Sequence, residues 1–474
     1  MASAPARWPA RLAAAALAAT ALLAIQLGGH PAGSPATSAR GAGWSTPATL
    51  AACSGGGTPR VLFPSDSPDH ATGRGAIVWG EGSCARTATG RAPETASLAV
   101  IGAGEVPSAP GPLRTPPGGV VATPLAATSG PHGEIVVAGA RSARAGAGQR
   151  VVQGTARGRF AVAYTGAGAT ATPALATAYL GDVALLSEAA PARDEHVLSL
   201  HIERYFAHDF AARASFSLSR GGPARGLTVA LDYRTDALAV WAQGASVYAR
   251  DMPARGSPHA AQRLGTAGSR VRIAALLSDD DRAIVAWSAE RSGHTSVFLD
   301  MSATGVRFGA PRLLESFADP DGLTAPAGSP SLVRLSSEGV MMAWAGSRAG
   351  RWSVRAAAID LNGLRSVDTI SAPRQDALLT GLAPGPDGDA IVLWDEPERE
   401  GAGRPDLARE TLLAARGIDA YPGRVIFAAP EVVAPAPLGG PARVALDPAS
   451  DRALAVWRAA GGAIYYAIRA APGG

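Results

Sequence analysis

A short apolar phrase ending in tryptophan recurs six times along the chain. It reads Gly75-Ala76-Ile77-Val78-Trp79, Ala237-Leu238-Ala239-Val240-Trp241, Ala283-Ile284-Val285-Ala286-Trp287, Val340-Met341-Met342-Ala343-Trp344, Ala390-Ile391-Val392-Leu393-Trp394 and Ala453-Leu454-Ala455-Val456-Trp457. From Trp241 onward the phrase returns about every 50 residues, the spacing of propeller blades. Each phrase has the length of one buried strand, and a turn and another short strand precede it. A repeat of this size is one small antiparallel sheet that cannot bury its apolar faces alone. Packed radially, such sheets are the blades of a β-propeller.

Within a blade we name the strands A to D from the inside outward, so the tryptophan phrase is B. The A strands read Val61-Leu62-Phe63, Val120-Val121-Ala122, Leu175-Ala176-Thr177, Leu227-Thr228-Val229, Val271-Arg272-Ile273, Ser331-Leu332-Val333, Leu378-Leu379-Thr380 and Arg443-Val444-Ala445. Strand C follows B, as in Ser246-Val247-Tyr248-Ala249, and strand D carries Phe308-Gly309-Ala310-Pro311 or Phe427-Ala428-Ala429-Pro430. The stretch from Trp79 to Trp241 is long enough for three such intervals, so two blades without the tryptophan belong between them. Glu134-Ile135-Val136-Val137-Ala138 and Asp182-Val183-Ala184-Leu185-Leu186 stand where the phrase would fall. The fold read from this pattern is all-β, a single β-propeller over residues 40–474. It has eight four-stranded blades, or seven if one of those two stretches is an insertion. The last blade stops after strand C, whereas Trp44-Ser45-Thr46-Pro47-Ala48-Thr49-Leu50 has the pattern of strand D. An N-terminal strand pairing with the C-terminal blade would close the ring and leave no edge open.

Residues 1–39 read as an export signal. Arg7 and Arg11 form a positive start, residues 12–27 are apolar, and residues 31–39 are small. Left uncleaved, the same run would be an anchor of borderline length. No later segment is long and apolar enough to span a membrane, so the expected location is extracellular or cell-envelope associated. The only cysteines are Cys53 and Cys84, and outside the cytoplasm a disulfide between them is expected. Strand order puts their loops on one face of neighbouring elements, which suits a bridge. Leu50-Ala51-Ala52-Cys53 also matches a lipobox, but it stands far from the apolar run.

All 43 basic residues are arginine, against 39 acidic residues, for a net charge of +4. This near balance implies no nucleic-acid partner. The A–B turns are acidic at Asp232, Asp236, Asp279-Asp280-Asp281, Asp387 and Asp389. Asp caps its own backbone in such turns, and no spacing matches a Ca²⁺ loop. The B–C loops carry arginines instead, among them Arg86, Arg91, Arg150, Arg291 and Arg351. His201, Glu203 and His208 form the densest titratable group, yet their spacing matches no zinc signature. G-x-S-x-G, H-E-x-x-H and Walker sequences are absent. No catalytic residue, metal or cofactor is expected. The tryptophans end an apolar strand every time and are expected as core between blades. Inward-facing A-strand positions are mostly aliphatic, with Arg272, Arg334 and Arg443 as exceptions. Three arginines without clustered acids favour holding an anion over hydrolysis.

With its A–B turn, tryptophan-ending B strand and Phe-x-x-Pro D strand, the repeat resembles exported bacterial propellers of the sialidase-like repeat type over residues 44–471. The resemblance is one of architecture. The Ser-x-Asp-x-Gly-x-Thr-Trp box of sialidases does not occur here, and their arginine triad and Tyr–Glu nucleophile find no counterparts. The function these features imply is non-catalytic: a monomeric exported propeller binding a protein or anionic cell-envelope or glycan ligand through one loop face. The alternative is a diverged glycan hydrolase or lyase with its site in the central channel.

Overall fold

The computed structural model describes residues 43–52, 58–63, 74–80, 96–113, 115, 121–131, 133–141, 148–155, 158–167, 171–178, 181–192, 195–203, 214–319, 330–335, 339–348, 350–360, 363–373, 375–399, 405–420, 424–435 and 438–471. The predicted export signal, Cys53, Cys84, Arg86, Arg91 and His208 lie outside the described residues. The described strands form eight antiparallel sheets, each one blade of a β-propeller. The eight A strands are Arg60–Leu62, Val121–Ser129, Ala174–Thr177, Ala224–Leu231, Val271–Leu277, Ser331–Arg334, Leu378–Pro384 and Arg443–Asp447. Both stretches without tryptophan are complete blades, so the count is eight.

The N-terminal strand closes the ring. Ala48–Ala51 is the fourth strand of blade eight, and Ala48, Thr49 and Ala51 pair with Tyr466, Tyr465 and Ile464. Before it, the Ser45 amide donates to the Ile468 carbonyl at 2.7 Å, and Ser45 Oγ accepts from the Ile468 amide at 3.0 Å. Leu50 joins Ile77, Trp79, Leu454, Val456 and Ile464 in the apolar seam between blades eight and one. The ring is thus sealed by hydrogen bonds and by burial. A bulge recurs at one place in strand D, beside the C-strand residue facing the tryptophan position. It occurs in blades three, four, five, seven and eight. The N-terminal strand has this bulge too, so it occupies the D position in register.

Trp79, Trp241, Trp287, Trp344, Trp394 and Trp457 are all buried and pack toward the preceding blade. Trp241, Trp287 and Trp457 stack on the C-strand aromatics opposite them, Tyr248, Phe298 and Tyr465. The two blades without the tryptophan differ from the sequence reading by one position. Closure of the A–B turn by Gly130 N to Glu134 O and Ala178 N to Asp182 O aligns these turns with Asp232 N to Asp236 O. The tryptophan position is then held by Gly139 and Ser187, and Ala138 and Leu186 point to the opposite face.

The Phe-x-x-Pro signature also shifts. Phe308–Pro311 and Phe427–Pro430 precede strands Arg312–Ala318 and Glu431–Pro435, just as Trp44–Pro47 precedes Ala48–Ala51. It marks entry into the outer strand. In blade seven this identifies Glu431–Pro435 as strand D, pairing with Thr411–Ala414. Arg424–Phe427 belongs to a hairpin extension of the long C strand Pro405–Ala420.

Candidate anion site in the central channel

The A strands run from the D–A connections to the A–B turns, and their turn ends line two cavities of about 350 and 840 Å³. All eight blades contribute, so the cavities are the A–B end of the central channel. The lining is largely aliphatic and proline, with Leu277, Leu335, Pro384 and Pro386 among it. Its acidic members are Asp232 and Asp279. Arg334 sits here, donating from Nη1 to Asp279 Oδ2 at 2.7 Å and from Nη2 to the Leu277 carbonyl at 2.9 Å. Its charge is met by Asp279, and it is not brought together with Arg272 or Arg443.

Those two arginines lie at the starts of their strands, toward the opposite end, and a third joins them. Arg60 pairs with Val78 and Arg443 with Val456, each beside the tryptophan of its B strand. Arg60 and Arg443 therefore hold equivalent positions on adjoining blades. In blade five that position is Ala274; Arg272 stands two positions nearer the strand start, opposite Ser288. In the remaining blades the position is filled by Ala126, Ala174, Thr228, Ser331 and Gly381. Arginine occurs at this level on the two blades beside the closing seam, and two positions nearer the strand start on the blade across the ring, while small residues occupy the level elsewhere.

The guanidinium groups feel both burial and one another. Arg443 is pushed down to about 9, by desolvation first and then by the charges of Arg60 and Arg272. Arg60 is lowered by desolvation and then by Arg272, and Arg272 by desolvation. All remain cations at neutral pH. Arg443 Nη1 donates to the carbonyls of Thr380 at 2.6 Å and Ala442 at 3.0 Å. Arg60 Nε is buried and makes no hydrogen bond. Like charges in a desolvated space disfavour one another unless an anion neutralises them.

Arg60 was not visible in the sequence. It stands farther ahead of Trp79 than Arg443 stands ahead of Trp457, so a longer A–B connection hides their equivalence. Strand register reveals it.

Other titratable groups have local explanations. Asp232 accepts from the amides of Arg234 at 2.9 Å and Asp236 at 2.8 Å, the turn chemistry expected of it. Asp232, Asp236 and Asp281 come together, and the Arg234 side chain bonds to Asp232 and Asp281. His201 and Glu203 are buried between blades two and three. The His201 ring lies 4.7 Å from that of Tyr164, and desolvation lowers its pKa to about 4, leaving it neutral. Arg150 is a buried strand residue and not a loop cation. Asp395 and Glu410 form a buried pair facing blade eight. Burial and then Glu410 push Asp395 well above the carboxylate range. Glu410 rises to about 7, chiefly by burial, while accepting from the Leu438 amide.

No known protein family and no curated protein matches the chain. Solved structures resemble it at low similarity. Hydrazine synthase of Kuenenia stuttgartiensis is 12% identical, covering 72% of this chain and 93% of its own, at a TM-score of 0.40. The α-L-arabinofuranosidase Arb93A of Fusarium graminearum is 10% identical, covering 71% and 90%, at 0.38. A family 25 polysaccharide lyase, an ulvan lyase, is 9% identical, covering 71% and 90%, at 0.39. These likenesses are weak and carry no argument about activity.

Proposed function

We propose that this protein is an exported, non-catalytic propeller that binds an anionic cell-envelope or glycan polymer at its central channel. The observation that carries this reading is the convergence of Arg60, Arg272 and Arg443, three desolvated cations acting on one another. The alternative, a diverged glycan hydrolase or lyase, needs paired carboxylates where substrate reaches them. The two acids at the A–B mouth serve a turn and an ion pair, and Asp395 and Glu410 are 6% and 8% exposed, which supports binding over hydrolysis. The test is titration of the purified protein with dextran sulfate and polygalacturonate, with neutral dextran as control. Polyanions should bind in a salt-dependent way. The double variant Arg60→Gln/Arg443→Gln should weaken them about tenfold or more, since hydrogen bonds to charged groups are worth roughly 1.5–3 kcal/mol. Undiminished binding by the double variant would remove the channel from the reading.

A further inference from the structure

We propose that the group received by these arginines is a phosphate monoester; this rests on the anion reading of the channel given above. Valence and direction single out this ligand. Arg60 and Arg443 approach from adjoining blades at one strand level, and Arg272 approaches from blade five, two positions nearer the strand starts. Donors from different sides and different heights suit an acceptor with oxygens pointing in three directions. A carboxylate offers two oxygens in one plane and a single charge, matched to one guanidinium fork. A phosphate monoester offers three terminal oxygens and a charge near −2 at neutral pH. One oxygen can then be assigned to each guanidinium, and three cations meet nearly two negative charges.

The surroundings agree with a compact ligand group. Ala126, Ala174, Thr228, Ala274, Ser331 and Gly381, all small residues, occupy the Arg60 level in the other six blades. Both hydrogen bonds of Arg443 leave from Nη1, to the carbonyls of Thr380 and Ala442, so its guanidinium is held without using its other nitrogens. Arg60 Nε is buried with its hydrogen-bonding capacity unmet, a state that a bound oxyanion relieves.

The experiment is calorimetric titration of the full protein with glucose 6-phosphate, methyl sulfate, dimethyl phosphate and glucuronate at matched ionic strength. Glucose 6-phosphate should bind about tenfold or more tightly than the other three. The second ionisation of a phosphate monoester falls near pH 6. Among the described residues, the charges acting on Arg60 and Arg443 are those of arginines, which do not titrate between pH 5 and 7.5. Affinity for glucose 6-phosphate should therefore fall as pH drops from 7.5 to 5, while that for methyl sulfate stays level. Arg272→Gln should remove the preference for the phosphate monoester, with folding checked by the fluorescence of the buried tryptophans. Equal or tighter binding of glucuronate or methyl sulfate would overturn the phosphate assignment and leave the anion reading standing. If none of the four anions binds, both fail.

Discussion

At the scale of single residues, the molecule solves one packing problem in two ways. Between blades four and five, Trp287 lies against Gly265, where an added Cβ would meet the indole at 2.8 Å. Between blades two and three, Ser187 takes the tryptophan position, and Tyr164, two residues before Gly166 at the register position of Gly265, supplies the aromatic ring and hydrogen-bonds to Ser187. The large side chain has moved from one blade to its neighbour. Trp287→Ala should cost about 3–5 kcal/mol in a denaturant titration, through the cavity it opens. Ser187→Trp alone should destabilise by overpacking, and adding Tyr164→Gly should recover part of the loss. The double-mutant cycle should show a coupling on the order of 1–2 kcal/mol; additive effects would contradict the exchange. The tryptophans were legible in the sequence because each ends an apolar strand. The exchange was not: Tyr164 is distant from Ser187 along the chain, and only strand register makes them partners.

At the scale of elements, the N-terminal strand was legible because Trp44-x-x-Pro47 repeats the signature at Phe308 and Phe427. The signature's meaning was less so, since it precedes the outer strand instead of forming it. Removing residues 44–51 strips the fourth strand from blade eight and opens the edge Ile464–Arg469. The shortened protein should melt several degrees lower and elute as dimers or larger species, because an unpaired edge recruits another chain. A second junction is set by charge. Glu410 holds the Leu438 amide between blades seven and eight. Folding raises its pKa from 4.5 to about 7, so the folded state favours the neutral acid. That contribution is complete below about pH 4.5 and lost as pH rises through about 7. Glu410→Gln keeps an acceptor for Leu438 without the charge. It should raise the melting temperature at pH 8 and leave it nearly unchanged at pH 4.

At the scale of the whole molecule, the spacing of the tryptophan phrase disclosed the architecture, and the long gap between Trp79 and Trp241 disclosed the blade count. The binding site was only partly legible. Arg272 and Arg443 stand out as charges in aliphatic strands, but so does Arg334, which the fold delivers to Asp279 at the other end of the channel. Strand identity says that a residue lies near the axis; only height along the axis says which residues meet. The channel consequently has two unlike ends, one cationic and one aliphatic where Arg334 is paired. Arg334→Gln should weaken polyanion binding far less than Arg443→Gln, in the same titration that tests the channel.

The hydrogen bond from Ile468 to Ser45 joins residues 423 apart in the chain. The N-terminal strand can find its place only once the strand Ile464–Arg469 is there to pair with it, so sealing the ring closes a loop of 423 residues. Long-range closure is entropically slow and has little local structure to guide it. A circular permutant carrying residues 44–52 after residue 471 would turn that distant encounter into a hairpin between consecutive strands. It should reach the same fold and regain native tryptophan fluorescence faster from denaturant. The natural chain order thus ties completion of the ring to arrival of its C-terminus, and a truncated product is left with an open edge.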